Sequence, residues 1–191
     1  MKYKCLPETR YSFGEYSLVP MRKEDIFKIK EWRNRQIDVL RQKEELTDED
    51  QRVYYNSVVK PSFGERQPRL ILFSYLLDNQ CIGYGGLTNI DWEAKRAEIS
   101  FLLNPERVQD AQLYQREFSV FLKLIKKVAF EDLGMNRLFT ETYDLRPAHI
   151  NILELNGFKR EGCMQKHVMV QGCLVDSLIH GFLREWYHVE G

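Results

Sequence analysis

Hydrophobic and polar positions repeat along this chain with two periods, and each change of period predicts a new element. Alternation of apolar and polar residues is typical of half-buried strands, whereas apolar residues three and four positions apart are typical of amphipathic helices. The resulting order is βααβββαβαββ. The predicted segments are 16–21 (strand), 23–34 and 46–61 (helices), 68–77, 80–92 and 95–104 (strands), 110–133 (helix), 136–143 (strand), 147–156 (helix), and 163–170 and 173–183 (strands).

Turn and cap residues support these boundaries. Gly134 and Gly157 stand where helices commonly end in a left-handed residue, and Gln171-Gly172 predicts a two-residue hairpin turn. The three strands between 68 and 104 are expected to form an antiparallel meander. A right-handed crossover then places the N-terminus of the long helix beside the end of strand 95–104. Because helix N-termini attract phosphate, we expect a phosphate site near residues 107–115.

Composition limits the class of protein. The chain has 191 residues, 43% of them hydrophobic, which predicts a single domain over 1–191 with residues 1–15 as an N-terminal extension. Lys plus Arg and Asp plus Glu both number 28, so no net charge draws nucleic acid or an anionic membrane. The four cysteines lack metal-ligand spacing, and no apolar run is long enough to cross a bilayer. We expect a metal-free, cytoplasmic protein without disulfides.

Five segments together resemble the GNAT superfamily of acetyl-CoA-dependent N-acetyltransferases, in the branch of ribosomal-protein and small-amine acetyltransferases. They are LVPMRKEDIFKIKEWRN (18–34), CIGYGGLTNIDW (81–92), AEISFLLNPE (97–106), VAFEDLGMNRLFTETYDLRPAHINILELNGFKREG (128–162) and DSLIHGFLREWY (176–187). The resemblance implies an α/β (α+β) fold with a mixed, mostly antiparallel sheet, helices on both faces and a splayed central strand pair.

The resemblance further implies direct transfer of an acetyl group from acetyl-CoA to a primary amine in a ternary complex, with no metal. In relatives, the pantetheine arm of the cofactor pairs with exposed backbone of the strand that diverges from its neighbour. In this chain that strand contributes Phe101, Leu102 and Leu103.

The pyrophosphate loop departs from the family pattern, because ERVQDAQLYQRE (106–117) contains no glycine. Glycine allows backbone to approach phosphate closely, so two alternatives stay open. The helix start and nearby arginines still bind the cofactor, or the protein is a catalytically silent acyl-CoA-binding relative. We favour the first because the other family segments are intact. The predicted cofactor-binding residues of this region are Arg107, Gln112, Leu113, Tyr114 and Arg116, and Arg146 at the start of the helix 147–156 is predicted to join them.

Two residues are candidates for catalysis. Many relatives carry a tyrosine that protonates the thiolate in the helix before Gly-Phe, but Leu153 stands there. His149, in the first turn of that helix, is a candidate acid or base, and the helix field favours its neutral ring. Glu98 matches a strand position where relatives place a carboxylate that accepts the amine proton through water. A solvent-facing His149, and a Glu98 paired with Lys95 or Arg96, are the alternative interpretations.

The last hairpin brings further polar residues together. A two-residue turn at 171–172 would set His167 opposite Asp176 and Cys163 opposite His180. This arrangement suggests a covalent nucleophile, but family members transfer the acyl group directly, and cysteine is commonly a small hydrophobe. We expect the histidines and Asp176 to line the acceptor side instead.

The acceptor is predicted to be a small-molecule amine. The arginine-rich segment between the first two helices overhangs the acceptor site in the family, and arginine suits phosphate, which favours a nucleotide-linked amino sugar. A protein N-terminus or lysine is the main alternative acceptor, and a solvated helix face is an open interpretation of the arginines. Packing of the tail 184–191 on a second copy would allow a homodimer. The predicted substrate-binding residues are Arg33, Arg35, Tyr84, Asp176 and His180.

Overall fold

Eight strands form one mixed sheet in the computed structural model, which describes residues 1–188. The strands are β1 (Tyr11–Phe13), β2 (Tyr16–Pro20), β3 (Ile71–Leu77), β4 (Gln80–Asp91), β5 (Arg96–Leu103), β6 (Arg137–Tyr143), β7 (Lys159–Val170) and β8 (Cys173–Leu183). The helices are α1 (Ile26–Asn34), α2 (Asp48–Tyr54), α3 (Lys60–Ser62), α4 (Pro105–Val108), α5 (Ala111–Lys127) and α6 (Pro147–Leu155). Turns of π-helix at Tyr55–Val59 and Val128–Asp132 extend α2 and α5.

The sheet order is β1-β2-β3-β4-β5-β6-β8-β7. Among the described strands, β5 and β6 are the one parallel pair, and every other neighbouring pair is antiparallel. The predicted meander of β3, β4 and β5 and the predicted crossover through α5 are therefore confirmed. This is the mixed, mostly antiparallel α/β sheet that the sequence predicts.

The N-terminal segment packs against the sheet rather than extending away from it. Tyr3 is fully buried, its hydroxyl donates to the carbonyl of Leu72 at 2.9 Å, and the Leu72 N–H donates back at 2.7 Å. Tyr11 on β1 pairs with Leu18 on β2. The three-residue β1 is too short to show a period, so its strand character could not be predicted from alternation.

The parallel pair separates after three residues of pairing, which run from Arg96 opposite Arg137 to Glu98 opposite Phe139. Beyond this point β5 stays paired with β4 as far as Leu103, and β6 stays paired with β8 as far as Tyr143. Each strand thus follows its outer neighbour. The gap that opens between them, the β5–β6 cleft, is the splay that the family resemblance implies.

Helix α5 packs an aromatic stack beneath the cleft. The Phe101 ring of β5 lies parallel to Phe118 at a centroid distance of 4.4 Å and meets Phe121 at 4.5 Å. Gly85 on β4 makes this approach possible, since a Cβ there would lie 2.8 Å from Phe121 Cζ and 2.2 Å from the Ser100 carbonyl oxygen. The stack fixes the N-terminal half of α5 against the end of β5.

The hairpin of β7 and β8 confirms the predicted turn but corrects the predicted register. Val170 pairs with Cys173 across Gln171-Gly172, both of which have positive φ, as a type I′ turn requires. A bulge between residues 164 and 168 then shifts the ladder, so that Leu178 lies opposite Cys163. The prediction that His180 faces Cys163 is wrong, because β7 has three residues between the paired positions 164 and 168 where β8 has one, which shifts the pairing by two residues.

No helix among residues 1–188 has both the length and the apolar character that a membrane span needs. The cysteines Cys5, Cys81, Cys163 and Cys173 are free thiols. The cytoplasmic location stays a prediction, as does the homodimer. Residues 189–191 of the tail invoked for that dimer lie outside the described part of the chain.

Candidate active site

The β5–β6 cleft contains a cavity of about 180 Å³. Side chains from the segment after α1, from both diverging strands, from α5 and from the start of α6 surround it. The lining includes the predicted site residues Arg33, Glu98, Phe101, Arg146 and His149, together with Arg41, Phe118, Thr140, Glu141 and Tyr143. Five sequence-predicted residues are thus brought to one cavity from three regions of the chain, namely α1, β5 and the start of α6.

Glu98 lies at the apex of the cleft, at the last paired position of β5. Its side chain is buried, and its carboxylate accepts two hydrogen bonds from Arg41, at 2.5 and 3.2 Å, and one from Asn89 at 2.6 Å. Pairing of Glu98 with Lys95 or Arg96 is not what the structure shows. The Glu98 side chain lines the cleft.

A second carboxylate, Glu141, shares the Arg41 guanidinium with Glu98. Arg41 donates to Glu141 at 2.8 Å, and the Ser177 hydroxyl donates to the other carboxylate oxygen, also at 2.8 Å. Burial of the guanidinium opposes its charge, but the bonds and charges of Glu98 and Glu141 outweigh this and raise the pKa of Arg41. Sequence reasoning missed Glu141, although its spacing of two residues from Phe139 and from Tyr143 places all three on the same face of β6.

His149 is buried under the cleft and is not the solvent-facing residue of the alternative interpretation. Its ring stacks on Phe118 at 4.3 Å, and Nδ1 lies 2.7 Å from the Tyr114 hydroxyl. Arg146 donates to the Tyr114 oxygen at 3.2 Å. Because arginine can only donate, the Tyr114 proton is free to point at Nδ1, which leaves the ring proton of neutral His149 on Nε2.

The ring of His149 stays neutral because of its surroundings. Burial, then the charge of Arg146 and the electrostatic interaction with His180, lower the pKa of His149 well below its usual value. The neutral ring was expected from the helix field, but burial is the larger cause. His149 can therefore offer an N–H to an oxygen or sulfur in the cleft, and it is a weak proton acceptor.

This depressed pKa predicts a pH dependence of stability. The folded state binds fewer protons than the unfolded state below about pH 6.5, so the free energy of unfolding falls as pH decreases through that value, by up to about 1.4 kcal/mol per pH unit. The His149→Gln variant can still accept the Tyr114 hydrogen bond. Its free energy of unfolding, measured by urea titration between pH 7 and 5, should fall less steeply with decreasing pH than that of the wild type. The exposed His167→Gln is the matched control. Equal slopes in the wild type and His149→Gln would contradict the assignment.

The open edge of β5 offers backbone groups to the cleft. Asn104 donates its N–H to the Ile82 carbonyl at 2.8 Å, so even-numbered residues of β5 bond toward β4. The N–H and C=O groups of Ile99, Phe101 and Leu103 therefore point toward the cleft. The Leu103 carbonyl already accepts from the Gln36 side chain at 2.9 Å. Leu102, being even, bonds toward β4, so of the three predicted backbone contacts Phe101 is the best placed.

The start of α5 is already capped by an acidic side chain. One Asp110 carboxylate oxygen accepts from the N–H groups of Gln112 and Leu113, both at 3.0 Å. Arg107 makes a two-bond ion pair with Glu117, whose side chain is fully buried. Arg116 is exposed. The N–H groups and one of the two arginines predicted for phosphate thus have partners within the protein.

Two larger cavities adjoin the cleft on different sides. A cavity of about 400 Å³ between the starts of α5 and α6, the donor-side cavity, includes Val108, Tyr114 and Pro147 and shares Arg146 and His149 with the cleft. A second cavity of about 590 Å³, the acceptor-side cavity, lies between the segment after α1 and β7. It shares Leu40, Arg41 and Tyr143 with the cleft.

The predicted substrate-binding residues divide into two groups. Arg33 lines the cleft and bonds to the Tyr84 hydroxyl and to Gln42, and Arg35 is paired with Glu106 at the surface. The remaining two, Asp176 and His180, do not line the cleft.

Both residues have structural partners away from the cleft, Asp176 within the hairpin and His180 on α6. Asp176 accepts from the Lys166 N–H at 2.8 Å and from Cys163 Sγ at 3.4 Å, which stabilises the bulge of β7. His180 is buried on the α6 side of the sheet, 3.4 Å from Glu154. His167, predicted to face Asp176, has its Nε2 3.8 Å from Glu141.

Comparison with known proteins identifies the family of the chain. The model of the acetyltransferase (GNAT) domain matches residues 18–179, so the chain belongs to the GNAT family of acyl-CoA-dependent N-acetyltransferases. A search of curated protein sequences found no match.

Solved structures share the fold at low sequence identity. Spermidine N-acetyltransferase from Vibrio cholerae, in complex with CoA and spermine, superposes with a TM-score of 0.77 at 16% identity, over 91% of this chain and 98% of that one. A Chromobacterium violaceum protein assigned to the GNAT family gives 0.74 at 17% identity, over 94% and 93%. At these identities the likeness concerns the fold.

Proposed function

We propose that the protein transfers an acetyl group directly from acetyl-CoA to the primary amine of a small molecule, in the β5–β6 cleft. The observation that carries this proposal is that the pairing of β5 with β6 ends at Glu98. The cleft that opens there adjoins the donor-side cavity on one side and the acceptor-side cavity on the other. Both reactants can therefore meet at Glu98 without displacing the core. Proximity of this kind supplies much of the rate enhancement in a two-substrate transfer.

The cleft suits the acyl donor in two respects. Backbone groups of Ile99 and Phe101 face it from β5, where they can pair with the amides of a pantetheine arm. On the facing strand, the buried Thr140 hydroxyl has no hydrogen-bond partner among the described residues. Buried polar atoms are normally satisfied, so an unpartnered hydroxyl in a cavity favours a bound polar group.

Acyl transfer needs one proton removed and one supplied. An ammonium has no free lone pair, so Glu98 takes its proton, directly or through water, before nitrogen attacks the thioester carbon. The C–N bond forms, the C–S bond breaks, and the departing thiolate takes up the second proton that the nitrogen loses as it becomes an amide. We assign to the neutral His149 an N–H bond to the thioester oxygen or the departing sulfur. Leu153, at the family's tyrosine position, is an aliphatic residue buried in the core.

The acidic cap of α5 predicts an unusual response of cofactor affinity. Asp110→Asn keeps an oxygen for the N–H groups of Gln112 and Leu113 but removes the charge that repels a pyrophosphate. We expect CoA to bind about fivefold more tightly, equivalent to about 1 kcal/mol at a helix N-terminus. Glu65→Gln, which removes one charge in the loop before β3, is the control in calorimetric titrations. Unchanged or weaker binding in Asp110→Asn would show that the cap does not compete with the cofactor.

The same cap supports a second candidate function, that of an acyl-CoA-binding relative without turnover. Asp110 and the Arg107–Glu117 pair satisfy groups that would otherwise meet phosphate. We favour the enzyme because Glu98, His149 and the open cleft are all in place.

The acceptor is proposed to be a small molecule. Spermidine, the substrate named for the Vibrio cholerae neighbour, and a nucleotide-linked amino sugar, suggested by the arginines after α1, are the two acceptors to compare. A protein amine is the third. At the apex of the cleft, the carboxylates of Glu98 and Glu141, which bind the Arg41 guanidinium, favour a cationic group on the acceptor.

Release of free CoA thiol from acetyl-CoA tests the proposal. The purified protein is incubated with acetyl-CoA and, in turn, with spermidine, a nucleotide-linked amino sugar and a peptide with a free N-terminus. Amine-dependent thiol release with a matching acetylated product supports the enzyme. Calorimetric binding of acetyl-CoA without thiol release in any mixture would support the silent relative instead.

A further inference from the structure

Arg41 stands between the acceptor-side cavity and the apex of the cleft. It lines both spaces, and its guanidinium bonds to a carboxylate on each diverging strand, Glu98 on β5 and Glu141 on β6. The residue belongs to the segment between α1 and α2, whose only regular structure among residues 35–47 is the turn Ile37–Val39. An acceptor that enters from this side must therefore pass the Arg41 side chain to reach Glu98.

The two carboxylates are held in place independently of Arg41. Asn89 donates to Glu98 at 2.6 Å, and Ser177 donates to Glu141 at 2.8 Å. Both side chains are more buried than Arg41, whose side chain is 52% exposed, compared with 7% for Glu98 and 18% for Glu141. If the Arg41 side chain rotates outward, the carboxylates of Glu98 and Glu141 repel each other across the apex. Binding of another cation between them relieves this repulsion and is therefore favoured.

The cleft also contains an independent sign of a missing occupant. Thr140 comes directly after Phe139, the last residue of β6 that pairs with β5. It is 4% exposed, and its hydroxyl has no partner among the described residues. Its side chain lines the same cavity as the two carboxylates. Two kinds of polar group thus border the cavity. The two carboxylates bind a half-exposed arginine, and the Thr140 hydroxyl binds nothing among the described residues.

We propose that Arg41 is an internal stand-in for the ammonium group of the acceptor, so that the acceptor is a cationic amine that displaces Arg41 from Glu98 and Glu141. This deepens the proposed function and rests on it. A di- or polyamine fits, because one ammonium takes the place of the guanidinium and delivers its proton to Glu98 while a second keeps a positive charge beside Glu141. An amine that carries a phosphate nearby is disfavoured, because the negative charge of the phosphate would lie beside the two carboxylates.

Binding of spermidine in the absence of acetyl-CoA tests this proposal without relying on turnover. If Arg41 fills the subsite about nine-tenths of the time, Arg41→Ala should bind spermidine about tenfold more tightly than the wild type in calorimetric titrations. Adding Glu141→Gln to Arg41→Ala should abolish that gain. Arg52→Ala, which removes a guanidinium paired with Glu49 on the surface of α2, should behave like the wild type. Glucosamine 6-phosphate, as the phosphate-bearing amine, should bind Arg41→Ala no more tightly than the wild type.

The outcomes separate this inference from the proposed function. Unchanged or weaker spermidine binding in Arg41→Ala overturns the inference, even if the wild type releases thiol with other amines. Tighter binding that persists when Glu141→Gln is added also overturns it, because the gain would then not come from the carboxylate pair. Tighter binding lost with Glu141→Gln supports the inference, and absence of thiol release with any amine would then contradict the proposed function alone.

Discussion

Glu98→Gln should lower kcat by about 10²- to 10⁴-fold at neutral pH, the range by which a positioned base accelerates proton transfer. The one amide oxygen of glutamine can still accept hydrogen bonds from Asn89 and from one Arg41 nitrogen, but glutamine cannot take up the amine proton. The deficit should shrink as the pH approaches about 10, where a primary amine increasingly loses its proton to solvent. Initial rates of thiol release at saturating amine, measured from pH 7 to 10, provide the test.

The control for this substitution is Glu93→Gln, which changes an exposed carboxylate in the turn between β4 and β5. It should leave kcat and its pH profile unchanged. Circular dichroism melting curves show whether Glu98→Gln is folded at the assay temperature. A folded Glu98→Gln with wild-type turnover at pH 7 would mean that another group accepts the proton.

Arg107→Met should destabilise the protein by about 3–5 kcal/mol, the cost of breaking a buried ion pair by removal of one partner. Glu117 is fully buried, and Arg107 donates two hydrogen bonds to its carboxylate. Methionine keeps the length of the side chain but leaves that carboxylate without its cation. The free energy of unfolding at pH 7 from urea titration gives the value.

Two further variants make the stability test specific. Arg116→Met removes an exposed arginine from α5, the helix that carries Glu117, and should change stability by less than about 0.5 kcal/mol. Arg107→Met combined with Glu117→Leu removes both charges and should recover much of the loss, because a buried pair replaced by apolar residues is often neutral. If Arg107→Met is no more harmful than Arg116→Met, Arg107 is not held by Glu117 and remains available for phosphate.

The elements that the sequence predicts correctly are those with a long or locally marked pattern. The apolar spacing from Phe118 to Ala129 predicts α5, and Gly157 ends α6 with φ near 84° and a bond from the Phe158 N–H to the Leu153 carbonyl. Short or irregular features escape the same reasoning. The bulge of β7 leaves no periodic signal, and it moves Cys163 away from His180.

The candidate site could be predicted only where a residue's position follows from its own strand or helix. Glu98 and His149 lie on regular elements, and the structure brings both to one cleft. The Arg41 partner of Glu98 is 57 residues away along the chain, in a loop that no local pattern places. The Asp110 cap, by contrast, is a local feature that the sequence can predict, because an acidic residue just before a helix commonly caps its N-terminus.

A crystal structure of the protein with CoA tests the central claim most directly, since that claim is that the acyl donor enters between β5 and β6. The account predicts a pantetheine arm in the cleft, within hydrogen-bond distance of the Phe101 backbone, with the thiol close to Glu98 and His149. CoA bound elsewhere on the protein, with the cleft closed around Arg41, would contradict it.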